Sequence, residues 1–221
     1  MKRRLISLTA MIGTSVFLLT ACGGGDDKSN EDNKTVGAEQ IPDKPRKSTQ
    51  PTGTEKNKPD GVDVSLPKDV NLVFDWDEPK AKNEAAAMDD AANYLRAIYR
   101  GVAKRSTRDA AVTEYSTGDG LTYAKTQIDA WIDGGWTATG TLRHYDATTR
   151  STANGSSVEV AFCADAGKFF GKEVKTKKIL TTEPSIRDFD HFKIVMVKFP
   201  AREDLWQASK VFVEMKAAKC Q

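Results

Sequence analysis

The chain has 221 residues, of which 33 are lysine or arginine and 31 are aspartate or glutamate, giving a formal net charge of +2. This even balance argues against a nucleic-acid partner, because proteins that bind nucleic acids concentrate positive charge on one surface. The length accommodates one ordinary domain together with shorter flanking segments.

The first residues have the pattern of an export signal. Lys2, Arg3 and Arg4 carry positive charge, and the apolar stretch over residues 5–19 contains no charged residue. A membrane-spanning helix needs roughly 20 apolar residues, so this shorter stretch suits the central region of a cleaved signal peptide. We therefore predict a signal peptide over residues 1–21.

The sequence around Cys22 indicates a lipid anchor. Leu19-Thr20-Ala21-Cys22 resembles the bacterial lipobox, in which the cysteine receives a diacylglycerol and becomes the new N-terminus. The resemblance implies acyl chains such as palmitate on Cys22 and a mature protein held on the extracytoplasmic face of the cell membrane. Two or three such chains give stable anchoring where one does not. The alternative is an ordinary secretory signal that happens to end beside a cysteine.

Residues 22–67 are predicted to form the lipidated cysteine and a disordered tether. This segment has hardly any large apolar residue and has prolines at positions 42, 45, 51, 59 and 67. Such a composition cannot bury enough apolar surface to offset the entropy of ordering. Residues 68–221, with 23 basic and 22 acidic side chains, are then predicted to form one extracytoplasmic domain with a core of normal size.

The first half of this domain has helical periodicity. Between residues 81 and 104, apolar side chains recur every three or four positions, as in an amphipathic helix. Ser106 and Thr107 can cap a short second helix that continues through Tyr115. A third helix is predicted from about residue 120 to the Gly134-Gly135 pair.

After Trp136 the pattern changes to the alternation typical of β-strands. The predicted strands cover Trp136 to Tyr145, the segment around Val158 to Phe162, Lys172 to Leu180, Phe189 to Phe199, and the segment around Val211 to Met215. Asn154-Gly155 is typical of a tight turn. Helices followed by strands predict an α+β fold, with three N-terminal helices packed on a curved antiparallel sheet.

Cysteine usage favours a single disulfide. Beyond Cys22 the chain contains only Cys163 and Cys220. Two thiols in an exported domain are expected to pair, which would tie a central strand to the C-terminus. There is no Cys-x-x-Cys motif, and the chain has only two histidines, so neither a redox motif nor a zinc site is predicted.

The order of the predicted elements resembles the nuclear transport factor 2-like (cystatin-like, cone-shaped) fold. More narrowly, the chain resembles actinobacterial lipoproteins that carry such a domain behind a lipobox and a polar tether. The resemblance is carried by Leu19 to Cys22, the helix with Tyr94-Leu95 and Ile98-Tyr99, Gly134-Gly135-Trp136, Val158 to Cys163, and Trp206 to Cys220. It implies a cone whose open end can hold a ligand, a disulfide between inner strands, and a sheet face of the kind that forms homodimers.

Few residues of the sequence are candidates for a catalytic role inside such a cone. Enzymes of this fold that resemble ketosteroid isomerases or dehydratases use a carboxylate or a His/Asp pair that faces inward. The candidates here are His144, Tyr145, Asp146, Asp165, Asp190 and His191. Strand alternation directs either His144 or Tyr145 into the cone, and His144 is the candidate catalytic residue.

The expected function is non-catalytic. Domains of this fold serve as enzymes, binding modules and dimerisation units, so the fold alone does not determine the function. Because the sequence shows no phosphate-binding glycine loop and no Ser-His-Asp pattern, we expect a cell-envelope module that binds an unidentified small molecule or envelope protein. The alternative is a lipid-anchored enzyme like an isomerase or dehydratase, using His144 or an inward carboxylate. Neither hypothesis includes a cofactor or a metal.

Overall fold

The computed structural model of the chain describes residues 58–221. The predicted signal peptide, the lipid attachment site at Cys22 and the tether up to residue 57 lie outside these residues. Within residues 58–221, no helix is both long enough and apolar enough to cross a membrane.

The helices of this region are α1 (Lys82–Lys104), α2 (Ala110–Glu114) and α3 (Gly118–Asp133). The apolar face of α1 recurs every three or four residues, and it is buried against the sheet from Ala87 to Val102. The helix ends at Arg105, which adopts the left-handed conformation with φ of 53°. Asp109 begins α2 by accepting a hydrogen bond from the backbone N–H of Ala111.

The sheet contains six strands: β1 (Val70–Asp75), β2 (Trp136–Ser151), β3 (Ser157–Glu173), β4 (Ile179–Leu180), β5 (Phe189–Phe199) and β6 (Arg202–Met215). The spatial order is β1-β2-β3-β5-β6, with the short β4 paired to the far end of β3. Because β1 and β6 do not pair with each other, the sheet remains open. The inner residues of β3 (Val158, Val160 and Phe162) are fully buried, as their alternation predicted.

Irregular pairing along β2 curves the sheet. The register with β3 shifts between Thr141 and Arg143, and again between Tyr145 and Thr148. Strand bulges of this kind increase local twist and bend the strand. The curvature leaves a hollow between the helices and the inner face of the sheet.

The sheet differs from the fully antiparallel arrangement expected from the sequence. β1 comes before all three helices and pairs in parallel with β2, with Val70 opposite Gly140 and Asp75 opposite Tyr145. A parallel pair needs a long crossover connection, and the three helices provide it here. A strand of only six residues whose partner lies beyond three helices has no local turn signal, so its pairing was not predicted.

The structure also corrects the bounds of the strand predicted from Lys172 to Leu180. Lys172 belongs to the end of β3, the chain then turns, and only Ile179 and Leu180 return as β4. Lys177 within the turn has a φ of 65°, a conformation that a continuous strand excludes. The segment predicted as one strand therefore forms a hairpin.

The packed region begins before residue 68, where the sequence placed the domain boundary. Val64 is only 3% exposed and belongs to the main hydrophobic core. Asp60 pairs with the Arg202 guanidinium at 2.7 Å and accepts a hydrogen bond from the Tyr115 hydroxyl at 2.9 Å. Ion pairs and the packing of Val62, Val64 and Leu66 on the core thus hold residues 58–67 against the domain.

The predicted disulfide between Cys163 and Cys220 is present, and both cysteines are buried. It joins β3 to the C-terminal segment across a sequence separation of 57 residues. A closed loop of that length contributes about 4 kcal/mol in the chain-entropy model. Together with one continuous core that joins Val64, the helices and the sheet, it makes residues 58–221 a unit that can fold on its own.

Candidate functional site

A cavity of about 490 Å³ lies between α1, α3 and the inner face of the sheet. Its apolar wall includes Leu95 and Ile98 from α1 together with Leu142, Ala164 and Phe192 from the sheet. The small side chain of Ala164, at the centre of the inner face, leaves room that a larger residue would fill. We refer to this space as the cavity.

His144 lies on the cavity wall. Of the two alternatives that strand alternation left open, His144 therefore faces inward and Tyr145 faces the outer side of the sheet. The imidazole is 1% exposed, and it stacks on the Phe74 ring with centroids 4.7 Å apart. Its Nδ1 lies 3.2 Å from the carbonyl oxygen of Val73 in β1. The newly recognised strand β1 therefore fixes the orientation of the candidate residue.

The protonation of His144 follows from this environment. Burial lowers the pKa of His144 to about 4, more than the hydrogen bond to Val73 raises it, and the nearby Arg96 guanidinium lowers it further. The ring is therefore neutral at physiological pH. A neutral ring that donates from Nδ1 to the carbonyl carries no proton on Nε2.

Two carboxylates reach the cavity from the segment that opens β5. Asp188 ends a short 3-10 helix before β5 and Asp190 lies in β5; both line the cavity, and each is partly buried. Asp190 Oδ1 accepts a hydrogen bond from the backbone N–H of Lys216 at 3.1 Å. Burial raises the pKa of the Asp190 carboxyl, and this hydrogen bond opposes the rise only in part.

Asp190 and His144 occupy the same row of the sheet. His144 is opposite Ala164 in β3, and Ala164 is opposite Asp190 in β5. Two strand spacings of about 4.8 Å place their backbones about 10 Å apart. The small Ala164 between them leaves their side chains separated by open space.

Aromatic side chains from the helices face these groups. Tyr99 of α1 meets Phe169 of β3 edge to face at 5.0 Å, and it meets Trp131 of α3 edge to face at 6.3 Å between ring centroids. Tyr123 of α3 also lies on the wall, where burial and the nearby Asp190 raise its pKa to about 12. Burial raises the pKa of Tyr99 as well, so both phenols stay protonated and can donate hydrogen bonds.

The remaining sequence candidates do not enter the cavity. The Tyr145 hydroxyl binds the carbonyl oxygen of Cys220, and Asp146 sits in the strand irregularity with a φ of 52°. Asp165 turns outward and accepts from a backbone N–H two residues on, at 2.8 Å. His191 lines a shallow groove on the outer face of the sheet. The structure therefore brings only His144 and Asp190 of the six candidates together.

Sequence analysis missed several side chains of the site. Tyr99 belongs to the first predicted helix, and no pattern in the sequence indicates a role for it in a site. Tyr123, Gln127 and Trp131 follow a spacing of four along α3, a signal that shows a shared helix face but not what the face borders. Asp188 was missed because no pattern in the sequence indicates that the turn before β5 borders a cavity.

Comparison with known proteins assigns no family. No protein-family model matches the chain, and no curated protein matches it either. Within the described residues, no cluster of three histidine, cysteine or acidic side chains is placed to hold a metal ion.

Several solved structures are similar at low sequence identity. The intermembrane space region of the chloroplast protein ARC6 is 9% identical, covers 62% of this chain and 99% of its own, and has a TM-score of 0.43. Aln2 from a Streptomyces species is 11% identical, with 58% and 88% covered and a TM-score of 0.40. A ketosteroid isomerase-like protein from Erwinia carotovora atroseptica is 12% identical, with 60% and 95% covered and a TM-score of 0.40.

Proposed function

We propose that the chain is a lipid-anchored lipoprotein on the extracytoplasmic face of the cell membrane, whose domain binds a small molecule without catalysing a reaction. The lipobox-like sequence ending at Cys22 supports the anchor, and the cavity supports the binding. In this proposal the three helices and the curved sheet form a nuclear transport factor 2-like cone, of the type found in actinobacterial lipoproteins. An envelope protein or a second copy of the chain would bind to the outer face of the sheet.

The cavity is the observation that carries the binding function. Its volume of about 490 Å³ lies within the range of small-molecule sites, which are concave, mostly apolar and equipped with few polar groups. A hollow kept open beside His144, Tyr99 and Asp190 therefore favours a ligand that contacts both apolar and polar atoms.

The state of His144 favours binding over catalysis. A general base works best when its pKa lies near the working pH, whereas the pKa of His144 is about 4. The ring is also held by the Val73 carbonyl and by stacking on Phe74. Such a group suits a fixed hydrogen-bond acceptor for a ligand better than a proton carrier.

One observation favours the alternative of an isomerase-like or dehydratase-like enzyme. Burial lowers the pKa of His144 and raises the pKa of Asp190, and the two lie on one wall about 10 Å apart. Pairs of groups with opposite pKa shifts are a common arrangement for acid and base. An enzyme would lose turnover in His144→Gln while keeping its fold, and a binding module would show no turnover to lose.

Native mass spectrometry of residues 58–221, purified gently from an oxidising compartment, tests the binding function. We expect a bound species of reproducible mass in the wild type and its loss in Ala164→Phe, because the added ring fills the centre of the cavity. Ala161→Phe is the matched control, since Ala161 lies on the outer face of the same strand.

The two variants separate the possible results. Retention of the ligand by Ala164→Phe would place the binding site elsewhere on the domain. Absence of any bound species in the wild type, followed by failure of added apolar, cationic and anionic probes to bind, would contradict the binding function.

A further inference from the structure

We infer that the cavity selects a hydrophobic organic cation, with an ammonium group beside Asp190 and an apolar body along the aromatic wall. This inference depends on the proposed binding function and names the class of ligand. Four features of the described residues support it: the charge of the wall, the lack of an ion-pair partner for Asp190, the aromatic rings, and the size of the hollow.

The charged side chains on the cavity wall are all acidic. Asp188 and Asp190 line the cavity, and no lysine or arginine of the described residues does. Among the described residues of the wall, His144 has the one side-chain nitrogen that can take up a proton, and this side chain is neutral at physiological pH. An anionic ligand would therefore meet only like charges inside a partly desolvated site, whereas a cation would meet opposite charges.

Asp190 lacks a cationic partner, although several other aspartates of the described residues have one. Ion pairs hold six of them: Asp60, Asp63, Asp69, Asp75, Asp109 and Asp204. Among residues 58–221, neither Asp188 nor Asp190 forms an ion pair.

The neighbours of the two carboxylates are backbone groups. Lys216 contributes only its backbone N–H to Asp190, and Asp188 accepts from the backbone N–H of Ser185 at 2.7 Å. A partly buried carboxylate without a counter-charge costs free energy, which a bound ammonium group would recover.

The aromatic wall suits the same kind of ligand. Tyr99 stands nearly perpendicular to both Phe169 and Trp131, with interplanar angles of 80° and 81°. The three rings therefore do not form one flat stack, and all three border the cavity. The face of an aromatic ring attracts ammonium groups through its quadrupole, most strongly for tryptophan.

The size of the hollow requires more than a small ammonium ion. A volume of about 490 Å³ fits a drug-sized molecule, and the buried end of the cavity is formed by Leu95, Ile98 and Leu142. An aliphatic or aryl body would cover the apolar surface that the cavity wall still exposes. An amphiphilic amine would place its charge beside Asp190 and its apolar part against the buried apolar end of the cavity.

A set of three shape-matched probes tests the inference on residues 58–221. The probes are 4-phenylbutyl-trimethylammonium, its neutral analogue with a tert-butyl group in place of the ammonium, and an anionic 4-phenylbutyl sulfonate. Binding is measured by isothermal titration calorimetry and by intrinsic tryptophan fluorescence, to which Trp131 on the cavity wall contributes. We expect the cation to bind about tenfold more tightly than the neutral probe, and the anion to bind most weakly.

Asp190→Asn removes the charge but keeps the shape and a hydrogen-bond acceptor. We expect this variant to lose about tenfold in affinity for the cation and to leave the affinity for the neutral probe unchanged. Glu159→Gln is the control, because Glu159 borders the groove on the outer face of the sheet. It removes the same charge from the domain and is expected to change neither affinity.

The outcomes separate this inference from the proposed function. Equal affinity for the cation and the neutral probe, or an unchanged cation affinity in Asp190→Asn, would overturn the cation selectivity and leave the cavity as a binding site. Preferred binding of the sulfonate would overturn it as well. Failure of all three probes to bind would count against both the selectivity and the binding function.

Discussion

Asp90 is the residue whose ionisation is most closely tied to the fold. It lies on the buried face of α1 and is 5% exposed. Its Oδ2 accepts the backbone N–H of Trp206 in β6 at 2.8 Å, and its Oδ1 accepts from the Asn93 side chain at 3.2 Å. This carboxylate thereby joins helix to sheet through a backbone group that would otherwise be unsatisfied.

The charge on Asp90 is costly despite these hydrogen bonds. Burial raises its pKa to about 7, the two hydrogen bonds lower it in part, and the carboxylates of Asp60 and Asp89 raise it further. The folded protein therefore holds a proton on Asp90 between about pH 4 and pH 7 that the unfolded chain releases. The contribution of Asp90 to the free energy of unfolding consequently falls as pH rises through this window.

Asp90→Asn is expected to remove that contribution, because the amide keeps an acceptor for the Trp206 N–H and carries no charge. The difference in unfolding free energy between variant and wild type should grow in favour of the variant from about pH 4 to about pH 7, by up to about 4 kcal/mol. Urea denaturation at unit pH steps across this window measures it. A difference that is constant with pH would show that Asp90 does not titrate in this range.

Gly140 shows how one element shapes the cavity. It lies in β2 with a φ of 99°, and a Cβ atom there would collide with the carbonyl oxygen of Lys168 in β3. The backbone N–H of Gly140 donates a hydrogen bond to the carbonyl oxygen of Asp69, just before β1, at 2.7 Å. The close approach of three chain segments at this glycine accompanies the curvature that opens the hollow beneath the helices.

Gly140→Ala is expected to destabilise the domain by more than about 2 kcal/mol, because backbone strain and a backbone collision act together. Gly135→Ala is the control: Gly135 has a φ of 72°, but a Cβ there meets nothing within 4 Å. The control should cost only the backbone strain of about 1 kcal/mol. Equal losses of unfolding free energy in urea would show that the contact with Lys168 is relieved by a small shift.

Sequence patterns predicted the elements that have a strong local signal. The alternation from Phe189 to Phe199 matches β5 to the residue, and the buried face of α1 follows its apolar spacing. The parallel strand β1 and the turn inside Lys172 to Leu180 were not predicted, because both depend on partners far along the chain. Long-range pairing leaves no period in the sequence.

The same distinction applies to the candidate site. His144 and Asp190 were named from residue type, whereas their place in one row of the sheet depends on strand register. Tyr99 and Asp188 were not named as site candidates, because which side chains border the cavity depends on the bulges that curve β2. The sequence shows which side chains are able to act in a site. Which of them come together in space depends on the folded sheet.

At the scale of the whole molecule, the proposed anchor and the cavity have separate roles. The residues that line the described cavity all lie within residues 58–221, so the proposed binding should be measurable without the N-terminal segment and Cys22. The proposed acyl chains on Cys22 would instead fix where binding occurs. Anchoring and ligand affinity should therefore respond independently to substitution.

Cys22→Ala tests the anchor in the cell in which the protein is exported. Each buried methylene of an acyl chain contributes about 0.8 kcal/mol, so loss of the acylated cysteine should move the protein from the membrane fraction to the soluble fraction. Ser29→Ala, which changes a nearby residue outside the lipobox-like sequence, should leave the distribution unchanged. Fractionation with immunodetection measures both, and intact mass reports whether the N-terminal segment has been removed.

The mass measurement decides how a retained variant is interpreted. A Cys22→Ala protein that stays in the membrane fraction with residues 1–21 still attached is held by its uncleaved apolar segment, and its mass lacks the acyl chains that the wild type carries. If the wild type itself carries no added lipid mass, or if a processed Cys22→Ala protein remains with the membrane, the acyl chains are not the anchor. That result would not bear on the proposed ligand binding, because the residues that line the described cavity all lie within residues 58–221.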